Sequence, residues 1–344
     1  MPNLHKSYKL IFILLSLILV FVGLINIHLG SVNIPTKEIT NILSGRGSEI
    51  ESWNYIVLNY RVPKAITAVL VGSGLAISGL LMQTLFRNPL AGPFVLGISS
   101  GASLGVAGLI LGVSIFSESI SSIALSSWSI SIASSIGSFV VLLAVLVAAR
   151  KIKNTMSILI IGLMFGSISG AIINVLSYFS KAEQLQQFVF WSFGSLGNLN
   201  WDELTVFGGV LFLGFLLLIP TIKPLNSLLL GENYAKSMGI NLKKTRYILL
   251  ITTSLMTGVI TAFSGPIAFI GLAVPHLTKL IFNNSNHKIL LPAVAINGAI
   301  ILLICDAIAQ VPTSEHTLPI NAITSLFGAP IVIWLLLRKQ KKII

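Results

Sequence analysis

Few residues in this chain have the types and spacing for acid–base, nucleophilic or metal chemistry. Asp306 is the only acid inside an apolar run, and it lies near the end of that run. At a bilayer centre an acid would cost about 2.5–3.5 kcal/mol. Near a helix end it fits a buried helix–helix hydrogen bond, whereas a proton relay normally needs more than one such group. Cys305 is the single cysteine and reads as a small core residue. His5, His28, His276, His287 and His316 show no metal-ligand spacing, so neither a metal nor a cofactor is expected. No Gly-x4-Gly-Lys-Ser/Thr occurs, so the chain has no nucleotide-binding loop of its own. A membrane-embedded enzyme would need a catalytic set, and neither Ser/His/Asp nor paired carboxylates supply one.

One polar segment, residues 223–246, has a pattern of its own. Leu230, Tyr234 and Met238 recur every four residues and line one face of a short helix, with Ala235 beside them. Glu232 and Lys236 sit four apart on the opposite face, in the favourable acid-first order. Gly231 and Gly239 bracket the unit, and Gly239 suits a C-cap. By shape alone this helix fits either a docking element for a partner or an amphipathic connector resting on lipid headgroups.

The elements that must position these residues are membrane spans. Of 344 residues, 54% are hydrophobic and only 9% charged, and the mean hydropathy is +0.93. Soluble domains carry roughly 25% charged residues. Ten apolar runs are long enough for a hydrocarbon core: 8–29, 62–85, 93–112, 127–149, 155–179, 203–221, 247–264, 267–283, 290–309 and 322–338. The first is too long for a signal peptide and lacks a cleavage site, so it reads as a span. The expected fold is therefore all-α, because a helix satisfies its backbone hydrogen bonds within lipid. It forms a single transmembrane domain over residues 1–344.

Charge orients the spans. Alternation from an inside N-terminus puts seventeen Lys and Arg on inner segments and five (Lys37, Arg46, Arg61, Lys64 and Lys181) outside. That is the positive-inside pattern, with both termini cytoplasmic in a multi-pass cell-membrane protein. The net charge of +12 is thus explained by topology and anionic lipid, without a nucleic-acid partner.

Two glycine ladders, Gly97, Gly101, Gly105 and Gly162, Gly166, Gly170, have the small-xxx-small spacing that packs helices closely. Ser264-Gly-Pro266 interrupts the chain between the seventh and eighth spans and Val274-Pro275-His276 lies inside the eighth, and the backbone groups that proline frees must be satisfied by neighbours or water.

Arg61-Val-Pro-Lys64, residues 78–102 (SGLLMQTLFRNPLAGPFVLGISSGA) and residues 265–276 (GPIAFIGLAVPH) resemble the FecCD-type permeases. Leu290-Leu-Pro292, Asp306 and Gly328-Ala-Pro330 continue the resemblance over about residues 55–340. It implies the membrane subunit of an ATP-driven importer for ferric siderophores, heme or cobalamin, with ten helices per subunit. The implied partners are a second permease subunit, two cytoplasmic ATPases and an extracytoplasmic binding protein. Residues 228–240 match the family's coupling helix, and Arg61 and Lys64 match its docking cations for the binding protein. Lys64 stands where the family has arginine and loses the bidentate fork. Gln310 occupies a third, usually basic, docking position. Thr155 and Met156 align with the cytoplasmic gate. The bland alternative for Arg61 and Lys64 is interfacial anchoring. The rival function is an ion-coupled secondary transporter, for which Asp306 is the only acid available.

Overall fold

The computed structural model describes residues 3–112, 126–152, 155–310 and 317–337. Lys153, His316 and the basic run from Arg338 to Lys342, used above for charge and metal spacing, lie outside them. Among the described residues the regular structure is helical throughout. The order is α1 (Asn3–His28), α2 (Thr36–Leu43), α3 (Glu51–Ile56), α4 (Val62–Phe86), α5 (Ile98–Ile110), α6 (Ser127–Lys151), α7 (Thr155–Tyr178) and α8 (Ala182–Ser192). There follow α9 (Trp201–Leu218), α10 (Ile222–Leu230), α11 (Glu232–Ser237), α12 (Leu242–Ser264), α13 (Ile270–Phe282), α14 (His287–Ala309) and α15 (Ile320–Leu337). Among the described residues seven spans are long and apolar enough to cross a bilayer by length and composition, fewer than the ten expected, and the helices Ile98–Ile110, Ile270–Phe282 and Ile320–Trp334 are apolar but shorter.

The short ones have local causes. The run 93–112 starts as a 3-10 turn, Pro93–Leu96, and Gly97 turns left-handed at φ 72° before α5 begins. The expected break at Ser264-Gly-Pro266 ends α12, and α13 starts only at Ile270. Asn321 meets part of the resulting need, its side-chain oxygen accepting the Ala268 N–H at 3.0 Å. Inside α13, Pro275 cannot donate to the carbonyl of Gly271. Gln83 Nε2 lies 3.5 Å from that oxygen and donates to the Leu272 carbonyl at 3.2 Å.

Helix α4 is the axis of the fold: 78% of its span is buried, against 6% for α1. It packs against α14, α13 and α12. Glycine makes the closest of these approaches. A Cβ on Gly72 would strike the backbone of Gly298 in α14, and one on Gly79 the backbone of Gly271 in α13. A second layer joins α5 to α6 and α7. Gly101 and Gly105 face the backbones of Gly137 and Ala133, while Gly97 faces that of Gly162, and Gly162 those of Val95 and Leu96. Gly166 approaches Ser100, and nothing lies within 4 Å of where a Cβ on Gly170 would stand.

These contacts separate glycines that close an interface from one that does not. Gly79→Ala should destabilise the purified protein by about 1–3 kcal/mol through overpacking. Gly170→Ala should leave stability unchanged or raise it by up to about 1 kcal/mol, the helix-propensity difference. Thermal unfolding of both variants in detergent measures the contrast, and equal effects would contradict it.

Candidate functional site at the two ends of the central helix

Polar and ionic side chains collect at both ends of α4, and each cluster ties that helix to distant segments. At the Arg61 end, a π-helical turn, Val57–Arg61, leads into α4 with Pro63 at its start. Arg61 is buried, and its guanidinium donates to the carbonyls of Ile27 (3.1 Å), His28 (2.9 Å) and Val32. Ile27 and His28 end α1, where carbonyls have no helical donor, so a cation there meets both the orphan acceptors and the negative end of the dipole. One turn on, Lys64 Nζ lies 3.1 Å from Asp306 Oδ1. The other oxygen, Oδ2, accepts from Asn26 and from Gln310, both at 2.8 Å. Asp306 therefore serves the helix–helix role expected of it, joining α1, α4 and α14, with an ion pair added.

The Arg87 end meets the polar segment. Residues 223–246 hold most of α10, all of α11 and the start of α12, and Gly231 at φ 124° divides α10 from α11 where one short helix was expected. Gly239 follows at φ 78°. Its N–H donates to the Lys236 carbonyl (2.9 Å) and that of Ile240 to the Ala235 carbonyl (3.1 Å), a glycine-closed Schellman end. Ala235 is fully buried, whereas Leu230, Tyr234 and Met238 are 66%, 49% and 58% exposed. The recorded ion pair of Glu232 is with Arg246 of α12, at 3.4 Å, and not with Lys236 as its spacing suggested. Thr155 Oγ1 donates to the same Glu232 oxygen at 3.2 Å, so the first residue of α7 touches the polar segment. Met156 beside it is 48% exposed.

Three further contacts bind α10 to the spans. Arg87 Nη2 donates to the Leu228 carbonyl at 2.7 Å. Asn226 Oδ1 accepts the His287 backbone N–H and faces His287 Nδ1, both at 2.8 Å. On the far side of the ring, Nε2 lies 3.0 Å from Thr84 Oγ1 in α4. With Asn226 Oδ1 an acceptor, Nδ1 carries the proton and Nε2 accepts from the Thr84 hydroxyl, an assignment inferred from partners. The buried imidazole thus bridges α10 to α4.

Residues 18–338 match the FecCD transport family. The chain belongs to that family. It is 38% identical over 289 residues to the hemin transport system permease protein HmuU of Yersinia pestis, covering 84% of this chain and 85% of that one. It is 35% identical over 307 residues to the vitamin B12 import system permease protein BtuC of Salmonella paratyphi A, covering 87% of each. A solved inward-facing structure described as a metal-chelate type ABC transporter superposes with a TM-score of 0.82 at 28% identity, covering 95% of this chain and 99% of that one. The chain is a multi-pass membrane protein of the FecCD fold.

In this FecCD chain the residues singled out by sequence fall into two groups. Thr155, Glu232 and the bracketing glycines come together at the Arg87 end. Arg61 and Lys64 lie at the other end, both engaged by partners within the chain. Arg246, Asn226, His287, Thr84 and Asn26 were not foreseen. The only signal for them was a polar or basic residue at the edge of an apolar run, which anchors to headgroups in many membrane proteins.

The Lys64–Asp306 pair gives a test. Breaking a buried pair costs about 3–5 kcal/mol, whereas replacing both partners by apolar groups is often neutral. Lys64→Met alone should therefore destabilise the protein markedly, and Lys64→Met with Asp306→Leu should recover most of the loss. Thermal unfolding across the double-mutant cycle reads it, and additive losses would mean that the pair is not coupled.

Proposed function

We propose that this chain is the membrane-spanning permease subunit of an ATP-driven importer in the cell inner membrane. Its cargo on this reading is a preformed iron chelate, either a ferric siderophore or heme, or else cobalamin, received from an extracytoplasmic binding protein. ATP hydrolysis takes place on two cytoplasmic ATPase subunits, and the pathway runs between this permease and a second copy or a related subunit. Ten helices cross the bilayer with both termini inside, which puts the Arg87 end of α4 in the cytoplasm and the Arg61 end outside.

Family membership over nearly the whole chain carries this reading, and the relatives named for hemin and vitamin B12 supply the substrate class. The geometry of α10 and α11 supports the coupling role. The unit offers Leu230, Tyr234 and Met238 outward and is fixed to the spans by Arg87, His287 and Arg246. Closure of the ATPases against that face would move α10 and α11, and the fixed contacts would pass the motion to α4, α14 and α7 as a rigid-body shift. Lys236 and the bracketing Gly231 and Gly239 belong to the same unit. Thr155 and Met156 begin α7 as the cytoplasmic gate, which the Thr155–Glu232 contact joins directly to the coupling unit. Arg61 and Lys64 set the outer docking face mainly by fixing α1 and α14 around α4. The ion pair and two amide donors on Asp306 engage the acid on which an ion-coupled mechanism would have to rely.

Uptake into proteoliposomes containing the permease, its ATPase and its binding protein tests the reading, with ferric siderophores, heme and cobalamin as the panel. One compound should accumulate only with ATP. Ala235→Leu, which overfills a fully buried position under the exposed face, should lower uptake at least tenfold while ATP hydrolysis persists. Uptake that follows a proton or sodium gradient and ignores ATP would overturn the assignment.

A further inference from the structure

The part of α4 left uncovered by its neighbours forms the floor of a groove between α9 and α14. The groove holds about 340 Å3, with Leu70, Ser73 and Ile77 of α4 flanked by Ile219 on one side and by Leu291 and Ala295 on the other. Beside it, Pro220 sits in a short 3-10 turn, Ile219–Thr221, that joins α9 to α10. Its lining is apolar, and the Ser73 hydroxyl is already committed, donating to the Ala295 carbonyl at 3.0 Å. Nothing in it invites a polar ligand.

Two lysines lie beside this slot. Lys288 is three residues before Leu291 and seven before Ala295, so it shares their face of α14 one turn nearer the membrane surface. Lys223 directly follows Ile222, which also lines the groove. Both lysines are exposed, and neither forms an ion pair among the described residues. Glu232, the one carboxylate in residues 223–246, is engaged by Arg246.

We propose that the groove binds an acyl chain of an anionic phospholipid from the cytoplasmic leaflet, with Lys223 and Lys288 holding its phosphate. The proposal rests on the sidedness given under Proposed function. An apolar slot alone accepts any acyl chain, and the paired cations confer the preference for negative charge, as basic pockets between spans do. A second copy seated here by an isologous contact would place a cationic rim on both sides of the interface. Lipid is the occupant whose charge complements the site.

The full chain in nanodiscs of equal phosphatidylglycerol and phosphatidylcholine, released and weighed by native mass spectrometry, tests this. The anionic lipid should be retained at least tenfold over the neutral one. One lysine near an anionic surface is worth about 1 kcal/mol, or about fivefold. Lys223→Gln with Lys288→Gln should therefore lower the preference on the order of twentyfold, and Ala295→Phe, which fills the slot, should lose the retained lipid. Equal retention of the two lipids, or an unchanged preference without the lysines, would overturn the proposal. So would disulfide-linked dimers of Ile219→Cys in a Cys305→Ala background, since a second copy would then cover the groove. Parallel uptake assays keep the two readings apart: lipid retained by a chain that imports nothing overturns the transport assignment alone.

Discussion

Everything else in this structure depends on how closely α4 approaches its neighbours. Within a bilayer, lipid tails are as apolar as leucine, so no hydrophobic force draws one span to another, and close packing has to supply the attraction. At Gly72 and Gly298, and again at Gly79 and Gly271, backbone meets backbone with no side chain between. The proline inside α13 then becomes an asset. It exposes a carbonyl just where Gln83 of α4 offers a donor, so the missing bond is replaced across the interface rather than within its own helix.

A helix held this firmly along its length can carry polar work at its tips. At one tip a guanidinium closes the end of α1, and a lysine–aspartate pair is completed by two amides. At the other, an imidazole and a guanidinium reach α10, while Glu232, Arg246 and Thr155 tie α11 to α12 and α7. Single pairs of this kind add little on an exposed surface. Here Asp306 and His287 are buried, and an unmet partner would cost about 1–3 kcal/mol or more. The clusters therefore fix relative positions, and a displacement of α10 has no soft joint in which to dissipate before it reaches α4.

Features governed by local rules were legible in the sequence. Apolar run length marked the seven long spans found among the described residues, proline and glycine marked most of their ends, and Gly231 and Gly239 marked a bracketed unit whose backbone does turn left-handed at both points. Where a side chain had a local and a distant option, the sequence favoured the local one. Glu232 has Lys236 one helical turn away, yet α11 is only six residues long and Arg246 reaches it from α12. The helix-packing glycines illustrate the same limit. Gly271 and Gly298 belong to no ladder, and their significance lies in which helix they face, more than 190 positions away. Arg61 and Lys64 were expected to look outward because positive charge near a span end ordinarily does. The carbonyls and the carboxylate that hold them come from the far ends of the chain.

The proposed coupling role would demand two opposed properties of one small element, and α11 divides them between its faces. On that reading a surface that receives a push must remain uncovered until the partner arrives, and three large apolar side chains along the nine residues from Leu230 to Met238 would soon find other cover if the element could roll. Ala235 prevents that. It is fully buried and small enough to let α11 lie flush, and the Schellman closure at Gly239 stops the helix from unwinding at its far end. With Gly231 supplying the sharp turn at the near end, α11 is pinned at both ends and beneath. Leu230, Tyr234 and Met238 then stay exposed because the element is held with that face outward, and on the coupling reading a force on the face passes through α10 to Arg87 and His287 and through Glu232 to α12 and α7.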